Sequence, residues 1–356
     1  MSKEVGRNSL ETKIKDTYSH LQDEISKQIF QKRLMYSLTG DGRFISEIID
    51  SIVQEKDLAG LMEKAEEVKD RLIIYGAGND LALLKRWFPD LSCVCLCDGD
   101  REKQRTGWNG FRVISREQLL SDYQGYYVLI SSTAFQKEIY DFLVNSGWDA
   151  EKILNAGSVM IPQGLYERQY FDKEIVNPCP DEIFVDGGCY DCGTDRLFMK
   201  WCGGDYKKIY AFEPDVKNYE NCMEAGKDIR DLRLINKGLW SREDVLRFEG
   251  NESPGSRIID TGIQEAATVQ VAAIDEVVGN DKVTFLKMDI EGAELEALKG
   301  ARETIRKHHP KLAICIYHKK EDVWEIPAYI LSVSEDYRLY IRHYRLNGNE
   351  TVLYAV

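Results

Sequence analysis

Residues 183–194, Ile183-Phe184-Val185-Asp186-Gly187-Gly188-Cys189-Tyr190-Asp191-Cys192-Gly193-Thr194, decide the fold. An apolar run ends in an acid, then glycines, and the helix-like Arg196-Leu197-Phe198 follows. A strand that turns through glycine into a helix lets a ligand approach the backbone at the helix start. Working outward, Ile209-Tyr210-Ala211-Phe212 ends in Glu213-Pro214, Thr284 to Met288 ends in Asp289-Ile290-Glu291-Gly292, and Leu312 to Ile316 ends in Tyr317-His318. Strands are expected at 183–187, 208–213, 232–239, 284–289, 312–317, 337–344 and 351–356, with amphipathic helices between most of them. Open parallel sheets bind ligands at the carboxyl ends of their strands, so the tips carrying Asp186, Glu213, Asp289 and His318 should share one rim. A carboxylate at the second tip suits the two hydroxyls of a ribose.

Upstream, the pattern changes twice. Residues 1–68 read as helical: Ile25, Ile29, Phe30, Leu34, Leu38, Ile45, Ile48 and Ile49 recur at helical spacing, broken at Thr39-Gly40-Asp41-Gly42. That stripe suits internal packing or a homodimer face. Residues 69–160 read as a smaller Rossmann-like α/β domain. Its first strand, Leu72-Ile73-Ile74-Tyr75, runs into Gly76-Ala77-Gly78, and Asp98 ends the next strand. The third glycine of a dinucleotide fingerprint is replaced by Leu81, so the motif is incomplete. Cys93, Cys95 and Cys97 alternate along a strand and read as small apolar packing. Turn residues Pro162, Gly164, Pro178 and Pro180 mark a linker over 161–180, and 181–356 forms the larger domain.

Composition narrows the function. The 356 residues are 43% hydrophobic and 30% charged, which is globular. A net charge of −13 disfavours a surface that tracks nucleic-acid phosphates. No stretch approaches the ~20 apolar residues of a membrane span. Nine cysteines, an odd number and scattered, read as reduced thiols, and the polar N-terminus has no signal-peptide pattern. A cytoplasmic protein is expected.

FVDGGCYDCGTD, YAFEPD, INKGLW and FLKMDIEGAELEALKGA together resemble the FkbM family of S-adenosylmethionine-dependent methyltransferases, over roughly 180–356. The resemblance implies a class I, Rossmann-like methyltransferase domain with a seven-stranded, mostly parallel sheet. It also implies methyl transfer to a hydroxyl of a sugar, glycan or glycosylated small molecule. Carried over residue by residue, Asp186, Gly188, Tyr190 and Asp191 match the cofactor loop, and Glu213 matches the ribose-binding acid. Asn236, with Lys237 beside it, matches the third-strand asparagine, and Ser256-Arg257 matches a position near substrate. Cys192 stands where the family has glycine. With Cys189 it forms C-x-x-C, read as packing beside the cofactor.

His318 is the first candidate for a general base, since its reference pKa lies near neutrality and its strand end faces the rim. Asp289 is the alternative base, with Lys287 expected to hold an acidic partner. Tyr317 and His343 are placed in the acceptor pocket. The sulfonium donor is already activated, and Asp289 with Glu291 offers only two carboxylates, so no metal is expected. The competing readings are an NAD- or nucleotide-linked enzyme acting through Gly76 and Asp98, and a non-catalytic scaffold.

Overall fold

A computed structural model describes residues 9–53, 55–248 and 267–356. Ser256 and Arg257 lie outside the described residues. The chain divides into two compact units, one running from Ile49 to Leu165 and the other formed by the chain before Ile49 together with Tyr166–Val356.

The first unit is a five-stranded parallel sheet in the order β3-β2-β1-β4-β5. Its strands are β1 Leu72–Tyr75, β2 Cys95–Cys97, β3 Val113–Ile114, β4 Tyr127–Ile130 and β5 Ile153–Asn155. Ile73, Tyr75, Cys95, Cys97, Val128 and Ile130 share one core, so the two strand cysteines act as small apolar residues. Cys93 lies before β2 and is partly exposed. Gly76 turns at φ 107°, and the Ala77 N–H donates to Asp98 Oδ2 at 2.8 Å. The other Asp98 oxygen accepts from the Asp100 N–H at 2.9 Å. The acid on which the competing nucleotide-linked reading relies is thus engaged by its own loops.

The second unit is built on a seven-stranded sheet in the order β14-β15-β13-β12-β6-β7-β8. Its strands are β6 Glu182–Gly187, β7 Tyr206–Phe212, β8 Leu232–Ile235, β12 Phe285–Met288, β13 Lys311–Cys315, β14 Leu339–His343 and β15 Thr351–Ala355. All run parallel except β15, which is antiparallel to both neighbours. β6 and β12 are central, as their unbroken burial requires. The expected strand over 232–239 is two pieces, β8 and β9 Gly238–Leu239. The latter joins β10 Asp244–Phe248 and β11 Ala267–Ala272 in a small sheet that the sequence reading did not anticipate.

Two expected boundaries move. The helices Leu10–His20 and Glu24–Thr39 belong with the second unit, because they cover its edge strand. The Gln22 N–H donates to the Leu339 carbonyl at 3.0 Å, and the Ile341 N–H donates to the fully buried Ser26 hydroxyl at 2.8 Å. Arg342 grips Asp23 through two nitrogens, at 2.7 and 3.2 Å. An edge strand with free N–H groups invites pairing with another chain, and this arm occupies it. Ile29, Phe30, Ile45 and Ile48 of the apolar stripe are buried within the chain, while Ile25 and Leu38 are exposed. The expected linker 161–180 also divides, at Leu165. Phe171 beyond it packs its ring against Phe184, Phe198, Trp201 and Phe285, so this half is core. Among the described residues no helix is long and apolar enough to cross a membrane.

His343 does not line an acceptor pocket. It is 4% exposed on β14, with Nε2–H donating to the Asn347 carbonyl at 2.9 Å and Nδ1 lying 2.7 Å from the Thr351 hydroxyl. A carbonyl only accepts, so Nε2 carries a proton. Burial, reinforced by the nearby Arg33 guanidinium, lowers its pKa to about 3.

Two predictions follow from this packing. Asp23 also caps its helix through the Ser26 N–H at 2.8 Å, so Asp23→Ala should lower urea-unfolding stability by about 2 kcal/mol. For His343 the folded pKa is depressed below the unfolded value of about 6.5. Its stabilising share is therefore present above pH 6.5 and is lost as pH falls toward 3, a change on the order of a few kcal/mol. His343→Gln should flatten that acid limb in a pH series of melting temperatures, leaving a smaller difference between pH 7 and pH 4 than in the parent.

Candidate active site

The site is assembled where β6 and β12 lie side by side. Asp186 and Lys287 are register partners across that pair, and both are essentially without solvent exposure. Lys287 Nζ donates to Asp186 Oδ1 at 2.8 Å, to the Gly187 carbonyl at 3.0 Å and to the Gly188 carbonyl at 2.9 Å. An ammonium has three N–H bonds, and these partners take all of them. Burial works against the charged lysine, but Asp186 and Asp289 outweigh it and hold its pKa well above the usual value. Asp186 therefore positions the loop from behind; its Oδ2 is buried without a hydrogen-bond partner among the described residues.

The loop after β6 then bends sharply. Gly188 has φ 81°, and a Cβ there would collide with the Asp289 carbonyl oxygen, so the loop passes directly over the β12 tip. The Tyr190 N–H donates to Glu213 Oε2 at 3.0 Å, and the Asp215 N–H donates to Glu213 Oε1 at 2.9 Å. Glu213 is 5% exposed, and among the described residues no cation pairs with it. Burial accordingly raises its pKa. A carboxylate held by two backbone N–H groups keeps lone pairs for two further donors, which is what vicinal ribose hydroxyls offer. Tyr190 itself is 51% exposed. These features fit the nucleoside part of S-adenosylmethionine.

Three other expected cofactor residues have partners within the protein. Asp191 Oδ1 accepts from the Gly193 N–H at 2.8 Å, closing the turn. Asn236 Nδ2 donates to the Glu213 carbonyl at 2.9 Å and so braces the strand tip. Lys237 is ion-paired with Glu243.

The acceptor side centres on Asp289. Its Oδ2 accepts from the Tyr170 hydroxyl at 2.7 Å and its Oδ1 from the Tyr317 hydroxyl at 3.0 Å. Burial pushes the Asp289 carboxyl up, but Lys287, the Tyr170 hydroxyl, His318 and the Tyr317 hydroxyl together hold it below the usual range. It is ionised at neutral pH. His318 Nε2 lies 3.4 Å from Asp289 and 3.5 Å from Glu291, and Nδ1 lies 3.0 Å from the fully buried Glu294. Burial disfavours the charged ring, yet Glu294, Asp289 and Glu291 outweigh it and raise its pKa to about 9. His318 therefore carries its proton as an imidazolium at neutral pH. Asp289, Glu294 and His318 bring donor atoms within 4.8 Å of one another.

Sequence reasoning placed Asp186, Gly188, Tyr190, Glu213, Asp289, Tyr317 and His318 in one region, and the structure brings them together. It missed Tyr170, Glu294 and Glu350. Glu350 approaches Asp289 and Cys315 from the β14–β15 connection and accepts from Gln169. The one available signal was Glu294, the third acid of Asp289-Ile290-Glu291-Gly292-Ala293-Glu294.

Residues 188–344 match the family described as methyltransferase FkbM domain, and residues 68–154 match one described as C2185-like, N-terminal. The chain is 22% identical over 149 residues to the 2-O-methyltransferase NoeI of Sinorhizobium fredii, covering 36% of this chain and 60% of that protein. The chain thus spans about 60% of the length of this curated relative. Among solved structures, the methyltransferase FkbM of Methylobacillus flagellatus KT aligns over 84% of this chain and 93% of its own, at 20% identity and a TM-score of 0.49. The fibrillarin of Aeropyrum pernix with bound S-adenosyl-L-methionine aligns over 49% and 66%, at 13% identity and a TM-score of 0.31. On the family match, residues 188–344 of this chain are a methyltransferase domain of the FkbM family.

Proposed function

We propose that this chain is an O-methyltransferase that uses S-adenosylmethionine and acts on a hydroxyl of a sugar, glycan or glycosylated small molecule. The observation that carries the reading is the ionised Asp289, flanked by two phenols, directly beneath the loop whose backbone holds Glu213. S-adenosylmethionine, when bound, supplies a methyl group already activated on a sulfonium. Glu213 would hold the ribose hydroxyls, with Tyr190 beside it. Asp289 would accept a hydrogen bond from the acceptor hydroxyl and take its proton as the oxygen–carbon bond forms. Tyr170 and Tyr317 fix the orientation of that carboxylate, so alignment supplies much of the acceleration. His318 balances the negative charge of Asp289, Glu291 and Glu294. A rim of carboxylates and phenols is suited to a polyol, because each group hydrogen-bonds a hydroxyl. The name of the 2-O-methyltransferase relative supports oxygen as the atom modified.

The test separates cofactor from chemistry. Calorimetry should show binding of S-adenosylmethionine and none of NAD, with Glu213→Ala weakening it at least tenfold. Asp289→Asn should retain cofactor binding while methyl transfer to a panel of glycosides and nucleotide sugars falls by roughly 10²–10⁴. Binding of NAD alone would overturn the reading and move attention to Gly76 and Asp98.

A further inference from the structure

The cofactor loop carries a second constellation that methyl transfer does not use. Cys189 and Cys192 in the loop meet Cys222, which lies on the helix Val216–Ala225 that follows Glu213. All three are buried, and their sulfur atoms lie within 4.8 Å of one another. Cys189 Sγ and Cys222 Sγ are 3.8 Å apart, and the Cys222 thiol is 3.1 Å from the Tyr190 carbonyl. Four ligands around zinc at a Zn–S length of about 2.3 Å are separated by about 3.8 Å, the edge of the tetrahedron.

Two further observations argue against simple packing. Asp195, in the first turn of the helix Gly193–Trp201, has no solvent exposure, and its carboxyl meets the Cys192 thiol. Burying a carboxyl with only a weak thiol partner is costly, and small apolar packing gives no reason for it. Cys192 itself has φ 61° and ψ 14°, the left-handed region that favours glycine. A side chain there costs roughly 1–2 kcal/mol, so packing alone would favour glycine.

We propose that Cys189, Cys192 and Cys222 bind one zinc ion. Three thiolates leave the fourth position of a tetrahedral zinc to a further donor, and the Asp195 carboxyl beside Cys192 is the candidate for it. The thiolates come from the loop after β6 and from the helix after β7, the two segments that also join through Tyr190 and Glu213. The ion would cross-brace the nucleoside site from its buried side. Binding requires the thiols to lose their protons, which pass to solvent. The positive charge of Lys287, close enough to act on Asp195, offsets part of the remaining negative charge.

The full chain, purified in reductant without chelator, should contain about one zinc per molecule by elemental mass spectrometry. After removal of zinc, cobalt(II) should restore one equivalent, with near-ultraviolet sulfur-to-cobalt charge-transfer bands and the intense visible bands of tetrahedral geometry. Cys192→Gly suits the left-handed backbone and should fold. It should weaken metal binding by more than the ~10-fold that loss of an outer-shell partner causes, as should Cys222→Ser. Asp195→Asn should retain the charge-transfer bands but shift the visible ones. Three outcomes would overturn the assignment: no zinc and no cobalt spectrum, cobalt binding unchanged in Cys192→Gly, or an intact mass 2 Da low that shows a disulfide among these cysteines. None of these readouts involves methyl transfer, so the zinc assignment and the proposed function fail separately.

Discussion

The ammonium of Lys287 is the constraint on which the rest of the site depends. One buried cation neutralises Asp186 across the β6–β12 pair and satisfies the carbonyls of Gly187 and Gly188 as the chain leaves the sheet. Parallel strands hold their ends level only through register, and this pair locks the register at its last turn. Removing one partner of such a pair typically costs 3–5 kcal/mol, because the other is left charged in the interior. Here it would also release two carbonyls whose positions determine where Glu213 and Asp289 stand relative to each other. The Tyr170 ring, 5.1 Å from the ammonium, covers the same charge while its hydroxyl reaches Asp289. Structural and chemical roles therefore converge on one tyrosine.

That dependence explains why segments far from the central strands matter. Tyr170 reaches Asp289 because Phe171, the next residue, is anchored in the aromatic cluster around Phe184 and Phe285. The N-terminal arm acts at the opposite edge, where Asp23, Ser26 and Arg342 occupy the open side of β14. β14 and β15 in turn carry the connection from which Glu350 approaches the acceptor side. The second unit is thus discontinuous in sequence because both of its flanking segments complete the sheet that bears the site.

The order of the strands and their polar tips was legible in the sequence because each followed from a local rule. An apolar run, a terminal acid and a following glycine or helix identified β6, β7 and β12, and the geometry of parallel sheets then placed their tips together. What escaped was everything set by burial. His318 looked like a base because its reference pKa is near neutrality, but Glu294, four residues before Leu298 on a short helix, is fully buried against it and makes it a cation. His343 ends a strand like the other tip residues, yet it belongs to the edge pair and is closed in by Thr351 and Asn347. Tyr170 sat among prolines and glycines that read as a linker. Cys222 joins Cys189 and Cys192 only once the helix after Glu213 is folded against the loop.

The charge on His318 changes the chemistry expected of Asp289. Two cations, Lys287 and His318, and two phenolic donors surround this carboxylate, and each lowers its basicity. A weak base would be a poor choice if proton removal had to precede methyl transfer. With a sulfonium donor it need not, since the acceptor oxygen loses its proton readily only as its bond to carbon forms and positive charge develops on it. The carboxylate then meets a strong acid in the transition state rather than a neutral alcohol in the ground state. What the site must supply is an ionised acceptor of fixed orientation over a wide pH range, and the two phenols that help depress the pKa of Asp289 are also the ones that hold it in place.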